Sequence, residues 1–436
     1  MADTTVGDER LDQSNSTPAT SAARTWADST FVAFRFPVYR IVWTGSILAF
    51  LAFNMSSSAQ SVVAYDLTGA NRAVGVVMFG QGVAMVLLNP IGGAIADRFD
   101  KRFLVLLAQT VIGSVILAVG LLLLFDRLTI FWLAVGSFTT GAMFSFLGPT
   151  RTSLLADAVS SERVGNAMAL LQVGSNVGRI AAPFLAGVLL SLPFLGAGGT
   201  YLIIASLFVL VILTMSQIPS SPPHRRSATM LEDVKLGFGY ARGHKPLMHA
   251  VFGFYAVTAL GFSYWVVMPG FAKDELHAGT TGYGVLLGVA AVGGLLGSIT
   301  VASLADSAKA RLYLKLASLL VALALVATGF APTFVAAAFA MVFVGAGIAA
   351  FQTLNNSFAL RLSEPAFYGR VAGLLQIAWG MINLLSLPTG FIADATSERA
   401  VLVGAGVSLA IVVLLLYLWE RVVYQQEAPA AVRHPG

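Results

Sequence analysis

Twelve apolar stretches, each about as long as a bilayer is thick, leave this chain very few ways to fold. They fall near residues 41–64, 73–96, 103–125, 130–156, 166–190 and 200–217, and after a polar break near 248–270, 282–302, 312–331, 333–358, 371–392 and 400–419. A helix needs roughly 20 predominantly apolar residues to cross the hydrocarbon core, so each stretch predicts one transmembrane helix. Only 11% of the 436 residues are Asp, Glu, Lys or Arg, while 57% are hydrophobic. A soluble domain carries about a quarter charged residues, and no compact globule could hide so much apolar surface, which excludes a soluble enzyme. The expected fold is an all-α polytopic membrane protein.

Sidedness follows from the basic residues. If the N-terminus is cytoplasmic, 21 of the 26 Lys and Arg fall on that side, Arg72, Arg127, Lys273 and Arg399 fall opposite, and Arg179 lies inside the fifth span. Cytoplasmic loops carry an excess of Lys and Arg, so both termini are expected in the cytoplasm of a multi-pass cell-membrane protein. The net charge of +5 is thereby explained by topology, with no nucleic-acid partner. With no Cys in the chain, disulfides, thiolate metal sites and a cysteine nucleophile are excluded.

Residues 1–34, rich in Ser, Thr, Ala and Asp, lack the basic start and apolar core of a targeting peptide and predict a disordered cytoplasmic arm. Residues 218–247 hold a Pro-rich run, IPSSPPHRR, and then MLEDVKLGFGYARGH, which predicts a linker and a short amphipathic helix at the membrane surface. This central loop separates a six-helix unit at 35–217 from another at 248–420, with a cytoplasmic tail at 421–436. The halves repeat: Gly75 and Asp97 align with Gly284 and Asp306 at a shift of 209, while ALLQ at 169–172 meets GLLQ at 373–376. Two separate anchors at nearly one shift predict a six-helix bundle duplicated in parallel.

The loop after the second span reads GGAIADRFDKR. Its Gly93, Asp97, Arg98, Lys101 and Arg102 resemble the cytoplasmic signature of the major facilitator superfamily, with Asp100 where the pattern has a second Gly. ASLADSAKAR at 302–311, with Asp306, is similar to a weakened copy. YDLTGANRAVGVV, GPTRTSLLADAV and NVGRIAAPFLAG further resemble the enterobactin-exporter and macrolide-efflux branch of drug:proton antiporters. The resemblance implies secondary active export of a small amphipathic molecule, a drug or siderophore-like compound, by alternating access with protons as coupling ion. Import or uncoupled facilitation of a small metabolite is the alternative, and one chain is expected to work as a monomer in the lipid bilayer.

The resemblance also implies a cytoplasmic gate. Asp97 would lie against the N-terminus of the eleventh span near Arg370, where unpaired amides favour a carboxylate. Arg98 would then pair with Asp157, with Lys101 and Arg102 near lipid phosphates. Arg151 would serve the gate with Asp157 or Glu162. Arg179 sits about 13 residues into the fifth span, roughly 20 Å deep, where a charge is costly and faces a cavity. Its candidate acids are Asp66 and Asp126, since no Asp or Glu lies mid-membrane; the alternative is an anionic substrate. Gly174, Gly178, Pro183 and Gly187 on the same span form a small-residue stripe with a kink, similar to a degenerate antiporter signature.

For the cavity, Asn54, Ser57, Ser58 and Ser61 form one polar face of the first span. Phe144, Tyr255, Tyr264, Trp265, Gln352, Asn355, Gln376, Trp379 and Asn383 join it as candidates, on the pattern of the resembled fold, in which spans 1, 4, 7 and 10 line the pathway. No P-loop occurs, the five His lie in loops or at span ends, and no nucleophile with a base or paired carboxylates lies mid-membrane. The chain is therefore expected to be no enzyme and to hold no metal and no cofactor.

Overall fold

The computed structural model describes residues 32–220, 230–302, 304, 307, 309–364 and 367–427; within them the side chains of 90–98, 149, 161, 176, 180, 230–235, 237, 302, 369, 372, 376 and 420–427 lie outside the description. Among the described residues, twelve helices are long and apolar enough to cross a membrane. The first half comprises α1 (Pro37–Asp66), α2 (Asn71–Arg98), α3 (Lys101–Leu124), α4 (Ile130–Asp157), α5 (Val164–Ser191) and α6 (Gly196–Met215). After the short linker helix α7 (Met230–Gly243) come α8 (Lys245–Gly261), α9 (Tyr264–Gly270), α10 (Gly279–Ala302), α11 (Ala310–Gly329), α12 (Phe334–Arg361), α13 (Tyr368–Ala395) and α14 (Glu398–Glu427). With an even number of crossings, α1 begins and α14 finishes at one end of the bundle, the near end; the opposite one is the far end.

Each half has its own apolar core, one around Tyr39, Ile112, Leu133 and Phe208, the other around Phe254, Phe271, Val321 and Leu402. Two antiparallel pairs join the halves: α2 against α13, and α5 against α10. Glycine makes both seams possible. A Cβ on Gly75 would stand 2.6 Å from the Ser386 carbonyl oxygen, and one on Gly284 would stand 2.9 Å from the Gly187 Cα. Gly75 and Gly284 are the residues that the repeat aligned, so equivalent positions in the two halves serve equivalent seams. Small residues allow such backbone approach where lipid offers no hydrophobic drive for association.

The seventh crossing departs from the single helix expected near 248–270. It spans Lys245–Glu275 in three pieces: α8, then α9 from Tyr264, then a π-helical turn at Phe271–Glu275. Gly261 ends the first piece and Pro269 lacks the N–H that would continue the ladder. Irregular backbone at membrane depth is tolerated where it is buried in protein or lines a cavity.

Asp100 has a local role at the near end. It caps α3, accepting the Phe103 N–H at 2.9 Å, while the Ser220 hydroxyl donates to its other oxygen at 2.6 Å. The departure from glycine in the motif thus starts the third span and ties it to the chain leaving the sixth.

Candidate functional site

A cavity of about 540 Å³ lies between the halves. Four helical faces form most of its wall. Asn54, Ser57, Ser58 and Ser61 come from α1; Gln172, Arg179 and Pro183 from α5; Tyr283, Leu287, Ala291, Gly294, Leu295 and Ser298 from α10; and Gly345, Ile348, Gln352, Thr353 and Asn356 from α12. Phe262, Tyr264 and Trp265 enter from the break between α8 and α9. Hydroxyl and amide groups line both halves, on α1 and on α12, aromatic rings enter at the α8–α9 break, and no lining residue among those described is acidic.

The far end is sealed by polar contacts between the halves. Tyr65 donates its hydroxyl to Asp274, and Lys273 pairs with Asp66. Asp394, at the end of α13, accepts the backbone N–H of Asn71 at 2.7 Å and of Arg72 at 3.1 Å, so it caps the first turn of α2 from across the interface. Asn71 donates its side-chain amide to Glu398 at 2.7 Å, and the Ser386 hydroxyl donates to the Gly75 carbonyl at 2.9 Å. Deeper in, Tyr283 donates to the Ser58 carbonyl at 3.3 Å. Toward the near end the lining continues to Gln172, Ser298 and Asn356.

Arg179 faces this space from the middle of α5. Its guanidinium stands 5.6 Å from the centre of the Trp379 ring, within cation–π range. Neither Asp66 nor Asp126 is its partner. Asp66 is held by Lys273 at the far end, and Asp126 sits in the left-handed turn after α3 with φ of 53°. A mid-depth Arg and carboxylates confined to helix ends are separated by too much helix to meet.

At the near end Lys101 takes a place other than the expected one. Lys101, 4% exposed, binds Asp157 at 2.5 Å instead of reaching toward lipid phosphates, and Arg102 donates to the Ser216 carbonyl at 2.6 Å. Both start α3, whose first turn packs among the helices of its own half. Arg151 pairs with neither Asp157 nor Glu162; it is buried with its guanidinium 4.2 Å from the Phe50 ring centre. Gly93, Asp97 and Arg98 lie on α2, but their side chains, like that of Gln376, fall outside the described residues, as does Asp306 entirely. Arg370 stands at the start of α13, 5.1 Å from the Phe367 ring centre.

On α5, Gly174 and Gly178 admit α1, with Ile47 and Leu51 closing over them, whereas Gly187 admits α10 and Pro183 borders the cavity. Several cavity candidates lie off the wall. Phe144 stacks on Phe53 at 4.5 Å, Tyr255 donates to the Leu374 carbonyl at 2.7 Å, and Asn383 donates to the Trp379 carbonyl at 3.3 Å. Trp379 packs against Phe262 at 5.3 Å and lies off the lining, and Asn355 is 1% exposed, turned about 100° around α12 from Asn356. Among the described residues the fourth span contributes no lining and the fifth and eighth do, because far-end closure brings α5 and α10 together and turns their near portions into walls.

Sequence reasoning missed the α10 face, though Tyr283, Leu287, Ala291, Gly294 and Ser298 recur at three- and four-residue steps. It also missed Asp394. The signal was present: G-F-I-A-D at 390–394 repeats the G-A-I-A-D of 93–97.

A twelve-helix bundle with a central cavity between two repeated halves defines a polytopic membrane transporter rather than an enzyme. Residues 28–434 match a family described as "Transmembrane secretion effector", and the chain belongs to that family, within the major facilitator superfamily. It is 24% identical over 227 residues to "Multidrug resistance protein 1" of Bacillus subtilis, covering 51% of this chain and 55% of that protein. It is 26% identical over 200 residues to "Enterobactin exporter EntS" of Salmonella typhi, covering 44% and 46%. The matches thus span about half the length of these curated relatives. Among solved structures, an inward-facing, unoccupied bacterial homologue of the human lysosomal transporter Spinster superposes with a TM-score of 0.71 at 17% identity, covering 89% of this chain and 98% of that one. The nucleoside transporter NupG gives 0.67 at 14% identity, with 87% and 99% covered. At these identities both show the fold alone.

Proposed function

We propose that this chain exports a small amphipathic molecule across the cytoplasmic membrane by alternating access, driven by the proton gradient. The observation that carries the proposal is a cavity between the halves, lined by hydroxyl, amide and aromatic groups and closed over at the far end by polar contacts, with a lining that continues toward the near end. With the near end cytoplasmic, as the Lys and Arg bias supports, this is the state that loads substrate from inside. The relatives' names support export. Asp97 and Arg98 would then close the near end against the start of α13 in the opposite state, when the far-end contacts are released.

Proton coupling finds its titratable groups at the far-end gate, where Asp66, Asp274, Asp394 and Glu398 contact the partner half. Uncoupled facilitation is the second reading, favoured by a cavity wall whose described residues include no carboxylate. Inverted membrane vesicles energised by respiration separate the two. Accumulation of an aromatic dye that an uncoupler abolishes is expected; equilibration indifferent to the uncoupler would establish facilitation instead.

A further inference from the structure

We infer that the cavity selects an organic anion: a compact aromatic or apolar body bearing one carboxylate or similar oxyanion, whose counter-charge is Arg179. This rests on the transporter reading of the same cavity and adds its chemical selectivity. Arg179 lies midway along α5 with its side chain exposed to the open volume that it lines. Among the described residues no lining residue is Asp or Glu, and the described contact of Arg179 is the Trp379 ring. The cavity therefore carries one positive charge that the protein does not neutralise.

A cation at that depth is expensive and needs water or an opposite charge. The guanidinium fork matches a planar carboxylate through two parallel hydrogen bonds, which an ammonium cannot do. Around it stand what the rest of such a ligand needs: Phe262 and Trp265 for a flat apolar body, and the Ser57 and Ser58 hydroxyls for further oxygens. The same charge discriminates against cations, whose entry would set like charges together in a medium of low dielectric. Selectivity thus has an attractive and a repulsive part, both from one side chain.

The full chain in lipid nanodiscs tests this with three probes of one shape: naphthoate, naphthamide and naphthylmethylammonium. Binding is read from quenching of tryptophan fluorescence, Trp265 and Trp379 standing at the site. Naphthoate is expected to bind roughly tenfold to a hundredfold more tightly than the amide, as a charged hydrogen-bond pair allows, and the ammonium most weakly. Arg179→Gln should bring the three affinities together, while Arg179→Lys should keep the order with a smaller spread. Equal affinities in the wild type, no measurable naphthoate binding, or an unchanged preference in Arg179→Gln would each overturn the inference. The wild-type comparison needs no variant to fold. Failure of the export proposal would look different: the binding order would hold while naphthoate showed no gradient-driven movement in inverted vesicles.

Discussion

Lys101 and Asp157 form a pair whose two members are not equally placed, which gives the pair an asymmetric response to mutation. Lys101 is 4% exposed and Asp157 41%. Removing the carboxylate with Asp157→Asn strands a buried ammonium, a change that costs about 3 kcal/mol where no other charge compensates. Removing the ammonium with Lys101→Met leaves a carboxylate that water can reach, at a cost of about 1 kcal/mol or less. The Asn variant should therefore melt at clearly lower temperature than the Met variant in the same detergent. The reverse order in thermal scanning would show that Asp157 is the more deeply buried partner. The motif made these residues visible, but not their pairing. Which cation turns inward depends on the helix packing around the first turn of α3, and Lys101 and Arg102, adjacent on one turn, reach different neighbours.

At the scale of elements, the far-end gate works through a helix terminus. The first backbone N–H groups of α2 have no partner within their own helix, and Asp394 of α13 supplies one only while the halves meet. Losing these two charge-assisted bonds, about 1 to 3 kcal/mol together, should raise the far-end-open population about tenfold in Asp394→Ala. Because the chain has no cysteine, one placed at Ser58 reports this directly; the bond that Tyr283 makes there goes to the backbone, so it survives the substitution. Labelling by an impermeant maleimide from the face opposite the termini is expected to accelerate about tenfold in the Asp394→Ala background. Unchanged labelling would mean that the remaining contacts hold the gate without the cap. Asp394 was hard to see in sequence because its motif copy lacks the basic residues that draw attention to Asp97. A carboxylate that caps a helix of the other half leaves no local pattern, since its partners lie more than 300 residues away.

Over the whole molecule, what was legible and what was not divide along one physical line. Lipid imposes a length and an apolar composition on every crossing, so the twelve spans could be read from local sequence alone. Arg179 was visible for the same reason, as a charge where lipid forbids one. Contacts between the halves obey no such rule, and the break in the seventh crossing and the role of α10 emerged only with the seams in place. Those seams set the last prediction. A Cβ on Gly187 would lie 2.7 Å from the Gly284 Cα, a backbone atom that cannot yield without parting α5 from α10. Each half keeps its own core, so Gly187→Val should leave both halves folded while preventing far-end closure. Transport should be lost, and the Ser58→Cys reporter should label from the far face at the rate of a permanently open gate. Gly404→Val, where a Cβ meets nothing within 4 Å, should leave transport and labelling as they are. Normal transport in Gly187→Val would show that the cycle never requires the α5–α10 seam to close this tightly. The far-end seal would then rest on the polar gate alone.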